Sequence, residues 1–171
     1  MSGERDDDFD PEGAEAEAFA LLAGALPAPE PPRAQRDRLL AELRGRERFA
    51  PFVDEVVHAF GVTSDTLRAA FARVADGAGW QPGLWPDSRL LQTPELARAN
   101  VVIAELAPGS VIPAHDHVVR ELTYVLDGEL IEDGTRRLGP GELLELQPGM
   151  RHAISVSSDS PCLVVFGLQR V

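Results

Sequence analysis

The chain has 171 residues and carries 28 acidic side chains against 16 basic ones, a formal charge of −12. All 16 basic residues are arginine, and 44% of the sequence is hydrophobic, which suits a globular domain with a substantial core. An acidic chain is a poor match for broad contact with nucleic-acid phosphates or anionic lipid, and no apolar run approaches a membrane span.

The charge is uneven. Residues 1–30 hold Glu4, Asp6, Asp7, Asp8, Asp10, Glu12, Glu15, Glu17 and Glu30 against Arg5 alone. Residues 1–32 are expected to be an acidic, disordered tail ending in the Pro-rich linker PAPEPP, with a short Ala/Leu-rich helix inside it over 14–26. There is no positive n-region, so no signal peptide is expected. With Cys162 as the single cysteine, a reduced, cytoplasmic setting is the natural expectation.

Residues 33–84 are expected to be helical. Arg33 to Arg48 contains six arginines and three acids, with Leu39, Leu40 and Leu43 on one helical face. Phe52, Val56 and Phe60 are spaced by four, and Gly61 offers a C-terminal stop. Thr63 or Ser64 can cap a further helix with Leu67, Ala70, Phe71 and Val74 on its apolar side, closed by Gly77 and Gly79. This pair has the outline of a helix-turn-helix. Its second helix opens with Asp65 where a phosphate would lie, so packing on a larger domain is the better expectation.

From about Trp85 the pattern becomes β. Short apolar runs at 101–106, 122–126, 129–132, 142–146, 153–157 and 162–168 alternate with Gly-, Pro- and Asp-containing turns. Such spacing predicts an all-β sandwich or barrel over 85–171, and the Asp-Gly pairs at 127–128 and 133–134 predict hairpin turns.

Three of the four histidines fall in this region. His115 and His117 share a face if the chain is extended there; Glu121 lies at the next strand, and His152 follows Pro148-Gly149. Three imidazoles and one carboxylate form a set compatible with Zn(II), Fe(II), Mn(II), Ni(II) or Cu(II). Gly109, His115, His117, Glu121 and Gly128 fit the spacing G-x5-H-x-H-x3-E-x6-G, which matches the first cupin motif. Gly141, Gly149 and His152 resemble the second, with Pro148 directly before Gly149 and Val156 at the position usually held by Asn.

On these motifs residues 85–171 resemble a metal-binding cupin, a mainly β jelly-roll barrel, here preceded by a short helical region. The wider layout, FALLAGALPAPEPPRAQRDRLLAEL followed by the helical pair, resembles ChrR-type anti-sigma factors, in which a Pro-rich linker joins a helical domain to a zinc-binding cupin-like domain. That resemblance implies one divalent ion, zinc first with iron, manganese or nickel as alternatives, held by His115, His117, Glu121 and His152. It also implies a sigma factor or another regulatory protein as partner. A homodimer is expected from cupins in general, and neither nucleic acid nor membrane is expected as a partner. No His precedes His58 and no Cys precedes Cys162, so the family's N-terminal zinc site is not expected here. The alternative is a mononuclear cupin enzyme of the dioxygenase or isomerase type. It would need an acid, base or anion clamp from among Arg98, Glu105, Arg120, Tyr124 and Arg151, and strand phase leaves open which of them face inward. Cys162 opens a strongly apolar run, where a buried, inert thiol is expected.

Overall fold

A computed structural model describes residues 45, 47–157 and 159–169. The acidic tail, the Pro-rich linker and the arginine-rich segment through residue 44 lie outside the described residues.

A 3-10 turn over Ala50–Phe52 leads into α1 (Val53–Phe60), which Gly61 ends in the left-handed conformation at φ 67°. Thr63 caps α2 (Ser64–Asp76), its side chain accepting from the Thr66 amide, and Gly77 stops that helix at φ 68°. Ten strands follow: β1 (Trp80–Pro82), β2 (Ser88–Leu91), β3 (Val101–Leu106), β4 (Val111–Asp116), β5 (Arg120–Asp127), β6 (Leu130–Glu132), β7 (Arg136–Leu138), β8 (Leu143–Leu146), β9 (Arg151–Val156) and β10 (Cys162–Gln169). A short helix, α3 (Pro94–Arg98), sits between β2 and β3. Among the described residues no helix is long and apolar enough to cross a membrane.

The strands form two antiparallel sheets, a six-stranded one in the order β1-β2-β3-β10-β5-β8 and a four-stranded one in the order β4-β9-β6-β7. Two core clusters divide along the alternation of the large sheet. Val101 and Ile103 of β3, Leu122, Tyr124 and Leu126 of β5, and Leu163 and Val165 of β10 pack with Phe49, Val56, Leu67 and Phe71 of the helical region. Their neighbours Ala104, Leu106, Val125, Cys162 and Val164 point between the sheets and meet Leu130, Leu138, Ile154 and Val156. Both faces of β5 and β10 are therefore covered, which explains their near-continuous apolar runs. The helix pair spends its apolar faces on this sheet and is not a free helix-turn-helix.

The expected strand texture begins earlier than Trp85, because Trp80–Pro82 already pairs with Arg89–Leu91. Asp133-Gly134 does make a hairpin turn, joining β6 to β7 with both residues at positive φ (48° and 70°). Asp127-Gly128 does not: β5 and β6 belong to different sheets, so this pair carries the chain across the barrel edge. Gly128 sits at φ 79°, and a Cβ there would lie 2.4 Å from the Pro161 carbonyl oxygen. At Gly134 (φ 70°) a Cβ would meet nothing within 4 Å. Gly134→Ala is expected to lower stability by about 1 kcal/mol through backbone strain alone. Gly128→Ala adds a clash with main chain, and its urea midpoint should fall well below that of Gly134→Ala.

Candidate metal centre

The histidines are placed by one pair of facing strands. In the β4–β9 ladder His115 lies directly opposite His152. The register shifts between Ile112 and His115, at Pro113, which has no amide to give the ladder. His117 follows β4 by one residue. Its amide donates to the Met150 carbonyl at 2.9 Å, and its carbonyl accepts from the Gly149 amide at 2.8 Å. The Pro148-Gly149 turn, with Gly149 at φ 88°, is thereby clamped onto the backbone of one histidine while it leads into the strand of another.

The three rings lie close together, with centroids 4.8 Å apart for His115–His117, 4.9 Å for His115–His152 and 4.7 Å for His117–His152. One ring nitrogen from each falls within 4.8 Å of the others. His117 and His152 are 5% and 3% exposed, and the Nε2 atom of each is buried with no hydrogen-bond partner among the described residues.

The other ring nitrogens are all engaged. His115 Nδ1 lies 2.9 Å from the Pro113 carbonyl oxygen, His117 Nδ1 lies 3.0 Å from Glu121 Oε2, and His152 Nδ1 lies 3.2 Å from Glu132 Oε1. A proton on each Nδ1 satisfies these contacts and leaves three Nε2 lone pairs free, the tautomer a metal ligand needs. Two orphaned buried nitrogens beside a third imidazole, that of half-buried His115, are costly as they stand and fit a divalent first-row ion. The triad is able to bind a metal ion.

Glu121 also reaches the site. Its carboxylate is not among the converging donor atoms; it lies behind His117 and also accepts from the Thr123 hydroxyl at 3.5 Å. Glu132 was not singled out in the sequence at all. It stands on β6 in phase with inward-facing Leu130, and that two-residue phase was the available signal.

Beside the triad is a cavity of about 460 Å³ whose lining includes His115, His117, His152 and Glu121. None of the five candidate acid, base or clamp residues lines it. Arg98 faces Glu95 at 3.7 Å, Glu105 holds Arg89 at 2.8 Å, Arg120 holds Glu145 at 2.8 Å, and Arg151 holds Asp116 at 2.8 Å. Tyr124 points to the opposite face of its sheet and donates to Glu55 of α1. Trp85, unassigned from sequence, lines the cavity with its ring 5.7 Å from that of His115. Cys162 is fully buried, and burial pushes its thiol up to about 12, so it is protonated and inert near neutral pH.

Two facing antiparallel sheets with a histidine cluster between them define a jelly-roll barrel of the metal-site type. Residues 102–167 match the family described as "Cupin domain", and the barrel has the cupin fold. No curated protein matches the chain. Among solved structures, a protein of unknown function with a cupin-like fold from Ralstonia eutropha JMP134 is 25% identical. That alignment covers 40% of this chain and 45% of the other, less than half its length, with a TM-score of 0.39. The polyketide cyclase RemF from Streptomyces resistomycificus is 20% identical over 52% of this chain and 68% of its own, with a TM-score of 0.43. A chain of the Rhodobacter sphaeroides complex of SigE with the anti-sigma ChrR is 18% identical over 92% of this chain and 78% of its own, with a TM-score of 0.44.

Burial and the neighbouring imidazoles hold His117 below its ordinary 6.5, and burial does the same for His152 against the opposing pull of Glu132. Burial pushes the Glu121 carboxyl up to about 7. These shifts have opposite consequences. Below about pH 6.5 the unfolded chain takes up protons that the folded histidines refuse, so acid lowers stability. Between about 4.5 and 7 folded Glu121 holds a proton that the unfolded chain has released; its contribution is complete below 4.5 and lost as pH rises through 7. Metal-free Glu121→Gln, which lacks this offset, should lose stability more steeply than wild type as pH falls from 7 to 4.5, read from urea midpoints. Glu132→Gln should weaken zinc binding roughly 10- to 100-fold, measured by chelator competition, because His152 loses the carboxylate that fixes its tautomer.

Proposed function

We propose that this cupin-fold protein binds one divalent ion through His115, His117 and His152 and uses it on a small molecule held in the adjoining cavity. The observation that carries this reading is the number of converging donors. Three ring nitrogens meet, and the fourth residue of the motif, Glu121, is spent on His117 Nδ1. A structural zinc site is closed by four protein donors, whereas a site with three protein donors would keep a position open, and the cavity adjoins these three.

Such an ion, when bound, supplies Lewis acidity at that open position. The protein's own part is to hold three neutral imidazoles, to keep their Nδ1 protons in place through Pro113, Glu121 and Glu132, and to shield the site between two sheets. Dioxygenase- or isomerase-type chemistry suits this arrangement. Zinc, iron, manganese and nickel all accept it.

A second reading is a ChrR-like regulator acting on a sigma factor, with Glu121 as fourth ligand and a closed zinc site. Its support is the sequence layout, a Pro-rich segment at 27–32 ahead of the helical lead-in. One experiment separates the two. In the cobalt-loaded full chain, azide should shift the visible absorption bands saturably, His152→Ala should hold no cobalt, and Glu121→Gln should hold cobalt and still respond to azide. Bands indifferent to azide, with Glu121→Gln as metal-free as His152→Ala, would establish the closed site and the regulatory reading.

A further inference from the structure

The walls of the cavity say what kind of molecule it takes. Resting on the reading above, we propose that the ligand is a predominantly apolar small molecule that presents a single metal-binding oxygen group to the histidines and carries no phosphate, polyol or second carboxylate.

Away from the triad the lining is predominantly aliphatic and aromatic, with Leu90, Val102, Leu106, Ile154, Val164 and Phe166 contributed by β2, β3, β9 and β10. Three of its polar side chains are already committed within the protein. Ser88 donates to the Trp85 carbonyl at 2.6 Å, Gln92 donates to the Val101 carbonyl at 3.4 Å, and Thr123 donates to Glu121. A sugar would bring more hydroxyls into this space than Asn100 and Asp116, the other polar side chains of the lining away from the triad and Glu121, could partner, with a desolvation cost for each one left over. Among the described residues no arginine lines the cavity, and the sequence contains no lysine, so a phosphate or a distal carboxylate would find no cation there.

The mouth is largely apolar as well, with the exposed Asp116 carboxylate, paired with Arg151, as its charged group. Leu84, Val118 and Leu168 line the cavity and are 81%, 86% and 40% exposed. Trp85 stands with them at 37% exposure, beside His115. A volume of about 460 Å³ falls in the range of small-molecule sites, and the triad at its wall gives the apolar body one polar anchor.

The test uses the cobalt-loaded full chain and straight-chain hydroxamates from acetohydroxamate to octanohydroxamate, with gluconohydroxamate as the polar-bodied counterpart. The metal-binding group is constant and only the body changes. Cobalt absorption reads occupancy of the metal, and Trp85 emission, identified by its loss in Trp85→Phe, reads filling of the cavity. Affinity should rise about three- to fourfold for each methylene that enters, until the cavity is full, and gluconohydroxamate should bind no better than acetohydroxamate. A flat or falling alkyl series, or tighter binding of the gluconyl probe, would overturn the inference while leaving the open metal position intact. Failure of acetohydroxamate itself to move the cobalt bands would instead remove the reading on which the inference rests, and the inference with it. A probe response that weakens as protein concentration rises would put a second copy's side chains in the mouth and also overturn it.

Discussion

The layout of the barrel and its site follows from the central strands of the large sheet, β5 and β10, being covered on both faces. A strand buried on one side alternates apolar and polar residues; β5 is buried from Glu121 through Leu126 without interruption. One phase of that strand must serve the helices and the other the barrel interior. Leu122, Tyr124 and Leu126 serve the helices, which leaves Glu121, Thr123 and Val125 for the inside. The placement of a carboxylate behind His117 is thus decided by the same alternation that gives Phe49, Leu67 and Phe71 something to pack on. A slip of one residue in β5 would exchange the two sets and send Tyr124 to the histidines.

Within the site, the decisive contacts are to the nitrogens that point away from its centre. A carbonyl and two carboxylates take the three Nδ1 positions and so fix which nitrogens are left over. Glu132 is itself held by Arg136 at 3.2 Å, so the support behind His152 reaches the protein surface through an ion pair that is exposed on its arginine side. The support behind His117 is different in kind. Glu121 is 8% exposed and its second contact is the Thr123 hydroxyl, with no cation paired to it among the described residues. The two carboxylates do similar positioning work under different electrostatic conditions.

Much of this was legible in the sequence because it rests on local rules. The two-residue spacing of His115 and His117, the turn ahead of His152, the Thr63 cap and the glycine stops at 61 and 77 depend on neighbours a few residues away, and each appears where the pattern placed it. The six apolar runs became strands for the same reason. What escaped depended on pairing over long separations. Asp127-Gly128 has the composition of a hairpin turn, yet β10 and β8 occupy both sides of β5, so the chain has to leave the sheet there. Glu132 acquires its role only because β6 lies beside β9. The short helix α3 was different: Thr93, Pro94 and Glu95 already supply an N-cap, a first-turn proline and a first-turn acid, and the signal was simply embedded in a region of β texture.

The β4–β9 pairing joins parts of the chain far apart in sequence, with His117 on one side and His152 on the other. An ion shared between them would act as a cross-link closing the intervening loop, which contains β5 through β8. Closing a loop of this length removes freedom from the unfolded chain equivalent to about 4 kcal/mol in the chain-entropy account of cross-links. Metal occupancy and barrel integrity would then be two aspects of one equilibrium, with the ion acting as a reversible fastener between the small sheet's strands and the β5–β8 excursion they enclose.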